Sequence, residues 1–148
     1  MKLVLLSLAF VFISCNNGAS TPEGLIQKFV KDSIAGKADK DYYAEYTTGA
    51  LLAASVDLSD EELDGSSLGS LSDVDVDILT KNCEEDKCIV TYIIKYKTES
   101  NGKKAFETEV KKIAEVVKEG EFWKLSDVKN IKTFHESKEP INPLEEKK

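Results

Sequence analysis

Two cysteines separated by four residues, Cys83 and Cys88, flank an acidic patch in the stretch NCEEDKCIV. Such a pair can bind a metal, carry out redox chemistry or form a disulfide. A closed zinc site uses four Cys or His ligands, and apart from Cys15 at the end of the N-terminal apolar run the chain offers only Cys83, Cys88 and His135. The spacing also differs from the C-x-x-C of redox enzymes. We therefore expect neither a metal nor a catalytic redox site.

Other catalytic patterns are absent from the sequence. No serine lies in a G-x-S-x-G elbow, and the single histidine, His135, lies at the edge of a charged tail. The acidic stretch DLSDEELDGSSLGSLSD does not keep the alternating ligand spacing of a calcium loop, so it is interpreted as a solvated loop with one helical turn capped by Ser59. We predict no catalytic residue and no cofactor.

Composition sets the class of protein and excludes some partners. The 148 residues fit one domain, and the net charge is −7. All 20 basic residues are lysines, so the chain lacks the planar guanidinium that reads phosphates and bases in a bidentate manner. A negative chain without arginine is not expected to bind nucleic acid.

The N-terminus MKLVLLSLAFVFISCNN has one lysine followed by an apolar run from Leu3 to Ile13. This run is shorter than the roughly 20 residues of a membrane-spanning helix, which favours a secretion signal. The residues FISC resemble the lipobox of bacterial lipoproteins, with Phe12, Ser14 and Cys15 at the matching positions. The alternatives are ordinary cleavage after Ala19 and an uncleaved anchor.

The lipobox resemblance implies a removed signal peptide over residues 1–14 and a lipidated tether over residues 15–20. In that family the cysteine thiol, here that of Cys15, carries a diacylglycerol, and its new amino group usually receives a fatty acid such as palmitate. Several acyl chains anchor a protein stably. We therefore expect a cell-envelope protein held to a membrane through Cys15. Asn16 favours the outer membrane, on its periplasmic or surface side, if the organism has two membranes.

The folded part is predicted to contain helices first and strands afterwards. TPEGLIQKFVKDSIAGK has Thr21 as helix N-cap, Pro22 at the first helical position and Gly36 at the stop. DKDYYAEYTTGALLAASV is predicted as a less regular helix broken at Gly49. Period-two alternation begins at Val74 and predicts strands. AFETEVKKIAEVVKEGEFWKL fits a helix or a strand, with a slight local preference for helix.

This order of elements resembles the NTF2-like, cystatin-like superfamily, in particular small lumazine-binding-like lipoproteins of bacteria. The resemblance is carried by Thr21-Pro22-Glu23 with Phe29 midway along the helix, and by the late hairpin Val116 to Val128 around Gly120 and Trp123. It implies an α+β fold over residues 21–134, an NTF2-like cone whose N-terminal helices pack on a bent antiparallel sheet. It also makes the ambiguous segment a strand. Residues 135–148 are predicted to be a disordered charged tail.

Members of that superfamily use the cavity of the cone as an enzyme site, a ligand pocket or not at all. We predict a non-enzymatic module that binds an envelope protein or a small ligand. The alternative is an isomerase- or dehydratase-type enzyme using Asp41 and cavity tyrosines, although no position matches a family catalytic motif. The residues expected to line the cavity are Tyr42, Tyr43, Tyr46, Tyr92 and Trp123.

With Cys15 acylated, Cys83 and Cys88 form an even pair in an oxidising compartment, where a disulfide is the default and free thiols are the alternative. If they face each other across a hairpin, however, Val76 pairs with Lys95, and the apolar residues of the two strands fall on opposite faces. Either a β-bulge shifts one strand by a residue, or the disulfide lies in a looser loop end.

Overall fold

A computed structural model describes residues 19–63, 71–100 and 103–137 of the chain. The predicted signal peptide over 1–14, the acyl acceptor Cys15 and residues 16–18 of the predicted tether lie outside the described residues. So do residues 138–148 of the predicted tail. No described helix combines the length and the apolar character that are needed to cross a membrane.

The helix predicted at the start of the fold is α1, Pro22–Ile34. Its N-cap residue Thr21 accepts a hydrogen bond from the Gly24 backbone amide at 3.1 Å, which satisfies one of the free amides of the first turn. After the helix, Gly36 adopts φ 70°, a left-handed conformation that glycine tolerates best. The helix buries the apolar stripe of Leu25, Ile26 and Val30 against the sheet.

The less regular helical segment consists of α2, Lys40–Tyr46, and α3, Gly49–Val56. Between them, the Thr48 amide donates a hydrogen bond to the Leu125 carbonyl at 2.8 Å, so the break is fixed to the last strand. Gly49 has φ 57°, which explains a glycine at this restart. A single further turn, α4, Asp60–Leu63, follows Ser59, whose hydroxyl accepts from the Glu62 amide at 3.3 Å.

Four long strands make one antiparallel sheet in the order β1-β2-β3-β4. Each strand pairs with its sequence neighbour, so the sheet is a meander. The strands are β1, Leu71–Glu84; β2, Lys87–Ser100; β3, Lys103–Glu119; and β4, Phe122–Ser137.

The segment with mixed periodicity is a strand, β3, in agreement with the expectation drawn from the resemblance. It pairs along its length with β2 on one side and β4 on the other, and this pairing outweighs a weak local preference for helix. The tight turn predicted at Gly120 connects β3 to β4, and Gly120 has φ 65°. Strand β4 continues through His135 to Ser137, so the sheet includes three residues of the predicted tail.

Strand β1 carries the bulge that the two cysteines required. Ile78 pairs with Tyr92, whereas Thr80 pairs with Thr91, so Leu79 is an extra residue in β1. The shift lets Cys83 pair with Cys88 while Val76 pairs with Ile94. The Sγ atoms of Cys83 and Cys88 lie 2.02 Å apart, at disulfide-bonding distance.

The predicted NTF2-like cone is wrong. Over residues 19–63, 71–100 and 103–137 the structure is mostly sheet, with one four-stranded meander and helices of 13 residues or fewer. The motifs behind the resemblance are present, but only as local features: Thr21 caps a helix, and Gly120 makes a hairpin turn. Capped helices and tight hairpins recur in many folds, so these motifs did not determine how the helices and the sheet are arranged.

One face of the sheet is covered by the helices, and its two halves differ. Near the disulfide, the face is closed by Leu25 and Ile26 of α1, which pack on Val90, Val116 and Leu125. All five of these side chains are at most 1% exposed. The opposite half lies beside the C-terminal part of α1 and is not filled. The outer face carries cross-strand ion pairs such as Lys95 with Asp77 at 2.7 Å and is solvated, as is common for antiparallel sheets.

Candidate functional site

The unfilled half of the covered face forms a cleft of about 650 Å³ between the helices and the sheet. Helices α1, α2 and α3 form one wall, and all four strands contribute to the floor. Most of the lining is apolar or aromatic. The described lining residues are Phe29, Val30, Ser33, Ile34, Tyr43, Leu51, Leu71, Tyr92, Ile94, Tyr96, Val110, Lys112, Val128, Asn130, Thr133 and His135.

A polar row crosses the floor of the cleft. Tyr92 on β2 pairs with Lys112 on β3, and Lys112 pairs with Asn130 on β4. Directly paired residues project to the same face of a sheet, with their Cβ atoms about 5 Å apart. The register therefore places a phenol, an ammonium and an amide side by side. The Asn130 amide is exposed and donates a hydrogen bond to Thr133 Oγ1 at 3.1 Å.

Lys112 is the exceptional residue of this row. Among the described residues, it makes no ion pair and no hydrogen bond, and burial lowers the pKa of its ammonium group. Burial has this effect because removing water disfavours the charged form. None of the described lining residues is Asp or Glu. The cleft thus holds a partly desolvated positive charge without a counter-charge from the described part of the chain.

Tyr92 is 3% exposed and lines the same cleft. Burial raises the pKa of its phenol well above the ordinary value of 10.0, so the hydroxyl remains a hydrogen-bond donor at neutral pH. Within the described ranges this hydroxyl has no hydrogen-bond partner. The hydroxyl is therefore a donor that a ligand can use, and it projects from the same face as Lys112.

Two further polar groups lie on the cleft wall. The Ser33 hydroxyl of α1 is buried and makes no hydrogen bond to the described residues. At the open end, Thr108 Oγ1 and His135 Nδ1 lie 3.0 Å apart, within hydrogen-bond distance. Ser33 therefore adds an unused donor opposite the sheet, whereas the Nδ1 atom of His135 is already engaged.

The structure separates the five aromatic residues that were expected to line a cavity. Tyr43 and Tyr92 do line the cleft, and the Tyr43 ring lies edge-on to Phe29 with centroids 5.3 Å apart. Tyr42, Tyr46 and Trp123 are not among its lining residues. Tyr46 is buried against Tyr42, with ring centroids 4.5 Å apart, and Trp123 packs on the hydrophobic core.

The Tyr42 hydroxyl instead belongs to a charged cluster on α1. It donates a hydrogen bond to Asp32 Oδ2 at 3.0 Å, and Lys28 Nζ donates to the same oxygen at 2.6 Å. These two bonds lower the pKa of the Asp32 carboxyl, with the Lys28 bond the stronger cause. Asp32 is not a lining residue of the cleft, and Asp41, the acid considered for an enzyme, is exposed on α2. The described geometry does not bring these carboxylates to the cleft.

Sequence reasoning missed Lys112, although the signal was present. Thr108, Val110, Ala114 and Val116 mark the inward face of β3 at alternate positions, and all four are buried. Lys112 occupies the central position of that same series. A lysine that interrupts an apolar period-two series predicts an unusual inward charge once the segment is known to be a strand.

Two other concavities have more polar linings. One of about 530 Å³ lies on the disulfide hairpin around Glu84 and Lys87, and one of about 510 Å³ lies at the edge of β3 and β4 around Glu107 and Glu136. Neither has the mainly apolar set of lining residues that is usual for a small-molecule site. Within residues 19–63, 71–100 and 103–137, no group of three or more His, Cys, Asp or Glu side chains is arranged to hold a metal ion.

Comparison with known proteins gives a likeness of fold. No protein-family model and no curated protein matches the chain. A solution structure of a SEC-C motif containing protein from Rhodopseudomonas palustris superposes with a TM-score of 0.59 at 13% identity, covering 78% of this chain and 82% of that one. At such low identity the match concerns the fold alone. It shows that this chain shares the fold of a SEC-C motif containing protein and supports the correction of the NTF2-like assignment.

Proposed function

We propose that the protein is a non-enzymatic binding module of the cell envelope that holds a small, mainly apolar ligand in the cleft between its helices and its sheet. The observation that carries this proposal is the cleft itself. Its volume of about 650 Å³ falls within the range of about 300–1,000 Å³ that is usual for small-molecule sites. Its lining combines apolar side chains with a few inward polar groups, as such sites do.

A small ligand accounts for the cleft better than a protein partner. The same sheet face is closely packed near the disulfide, where Val90, Val116 and Leu125 are at most 1% exposed. The chain therefore supplies apolar side chains able to fill the sheet–helix interface, yet the half around Tyr92 and Lys112 is unfilled. An unfilled concave region between packed elements suits a small molecule, whereas protein interfaces are generally broad surfaces.

The envelope part of the proposal rests on the predicted lipidation of Cys15. The described chain begins at Ala19, whose carbonyl accepts a hydrogen bond from the Trp123 amide at 3.2 Å. Four residue steps separate Cys15 from Ala19, a reach of at most about 14 Å. A lipid on Cys15 would therefore hold the start of β4 close to the bilayer surface.

The test is purification of the intact protein from its own membranes, followed by mass spectrometry of the N-terminal peptide and of small molecules released by organic extraction. We expect a diacylglycerol-modified Cys15 peptide and a co-purifying apolar compound. The cleft variant Leu51→Trp is expected to retain about tenfold less of that compound than the parent protein. Leu51 lines the cleft, and the larger indole ring would occupy it.

Leu52→Trp is the matched control, because Leu52 is the next residue of α3 and is not a lining residue of the cleft. It carries the same added indole and is expected to retain the compound. Equal retention by the two variants would contradict the cleft as the binding site. An unmodified Cys15 in the processed protein would contradict the anchor and leave the cleft proposal standing.

A further inference from the structure

We infer that the ligand is an amphiphile with a single carboxylate, which the Lys112 ammonium and the Tyr92 hydroxyl bind while the apolar body lies along the cleft. This inference rests on the proposed function, because it names the chemical class that the same cleft selects. It is carried by the register, which makes Tyr92 and Lys112 neighbours on the cleft floor, and by the lack of any partner for either group among the described residues.

Charge complementarity requires an anion. A neutral ligand would leave the Lys112 ammonium desolvated and unpaired, and a cationic one would add repulsion. The described lining contributes no carboxylate to the cleft, whereas lysines on the outer face have acidic partners, as Lys95 has Asp77 and Lys87 has Glu115. The described lining therefore gives Lys112 no acidic partner, and the ligand would supply the negative charge.

The amount of charge favours a carboxylate over a phosphate. A phosphate monoester carries a charge of about −1.5 to −2 at neutral pH, and the cleft offers one ammonium among its described residues. The remaining negative charge would be buried in an apolar surround on a chain of net charge −7. A carboxylate carries one negative charge and accepts hydrogen bonds at both oxygens, which matches the single ammonium charge of Lys112 and the phenol donor beside it.

The apolar body of the ligand is placed by the rest of the lining. On one side of the polar row, Ile94 and Val110 continue along the floor, paired with each other across β2 and β3. Ile34 of α1 and Leu51 of α3 line the helical wall of the same cleft. An alkyl chain with its carboxylate at Lys112 would contact these side chains, and each buried methylene is expected to tighten binding about fourfold.

Calorimetric titration of the processed chain, residues 15–148 with Cys15→Ser so that no lipid of its own competes, tests the inference. The probes are decanoate, decanol and decyl phosphate, which share one alkyl chain and differ in head group. We expect decanoate to bind at least about tenfold tighter than decanol, the effect of hydrogen bonds to a charged group, and tighter than decyl phosphate. Lys112→Met is expected to abolish the preference for decanoate over decanol while decanol binding persists, and Tyr92→Phe to reduce the preference.

Lys111→Met is the matched control. It makes the same chemical change as Lys112→Met, but at the adjacent residue of β3, which projects to the opposite face of the sheet. It is expected to leave the preference unchanged. If decanoate and decanol bind equally well, or if Lys112→Met keeps the preference, the carboxylate inference fails, while the proposal that the cleft binds an apolar ligand is retained. Tighter binding of decyl phosphate would also overturn it. If no probe binds the parent chain, the proposed function itself fails, and the inference fails with it.

Discussion

Replacing Lys112 with Met is expected to make the unliganded protein more stable. Lys112 lies in the cleft, with its ammonium partly desolvated and unpaired among the described residues. Met keeps an unbranched side chain of similar reach and removes the charge. An unsatisfied buried polar group costs about 1–3 kcal/mol. Because Lys112 is only partly buried, we expect the lower end, a gain of about 1 kcal/mol or about 3 °C in melting temperature.

The pH dependence of this gain has a definite sign. Burial lowers the folded-state pKa of Lys112 below its ordinary value of 10.5, so the unfavourable charged form costs stability at neutral pH. The cost is complete below the folded-state pKa, decreases as the pH rises towards 10.5, and is absent above it. The stability difference between Lys112→Met and the parent should therefore be largest at neutral pH and shrink in alkaline solution.

Urea unfolding of the two chains at neutral and alkaline pH measures this difference. Lys111→Met serves as the control and is expected to change stability by less than about 0.5 kcal/mol, as outward-facing substitutions usually do. If Lys112→Met is no more stable than the parent at neutral pH, the ammonium is not an uncompensated charge, and the electrostatic reasoning about the cleft is refuted. A more stable variant that no longer favours an anionic ligand would identify a residue kept for binding rather than for folding.

Three further predictions concern the scaffold. Because Cys83 and Cys88 are register partners, the processed protein should show two additional thiols after reduction under denaturing conditions. Replacing both cysteines with alanine should lower the free energy of unfolding by about 2 kcal/mol, the value for closing so short a loop. An unchanged thiol count would contradict the pairing. Asp32→Asn should lose about 1–2 kcal/mol at neutral pH, since Lys28 lowers the pKa of that carboxyl below 3.8. The loss should vanish as acid protonates the carboxylate, which urea titration at about pH 2 would check. Gly120→Ala should cost about 1 kcal/mol, because φ is 65° there although no atom lies within 4 Å of an added Cβ; thermal melting with no change would contradict this.

Local chemistry in the sequence predicted local structure well. The cap at Thr21, the stop at Gly36 and the turn at Gly120 occur where the residue types indicated. The conflict between the cysteine pairing and the faces of the two strands correctly indicated an irregularity in the hairpin, which is the extra residue Leu79 in β1. At the cap, the stop and the turn a short-range rule decides the conformation, whereas at the cysteines the sequence left a β-bulge and a looser loop end as alternatives.

The arrangement of these parts could not be predicted in the same way. The NTF2-like assignment relied on a helix start and a hairpin, and neither specifies how helices lie on a sheet. The inward position of Lys112 was not predicted for a related reason. Its segment fits a helix as well as a strand, and its inward position becomes visible only when β3 is paired with β2 and β4. Tyr42 was likewise placed in a cavity by type alone, whereas its hydroxyl bonds to Asp32.

The most direct test of the cleft is a nuclear magnetic resonance spectrum of the processed chain with decanoate labelled at its carboxyl carbon. We expect a bound carboxylate resonance, with contacts from the decanoate chain to the Lys112 and Tyr92 side chains. We also expect Lys112→Met to remove the shift of that resonance and Lys111→Met to leave it unchanged. A bound resonance with contacts only to outer-face residues such as Lys95, or the absence of any bound resonance, would contradict carboxylate binding in the cleft.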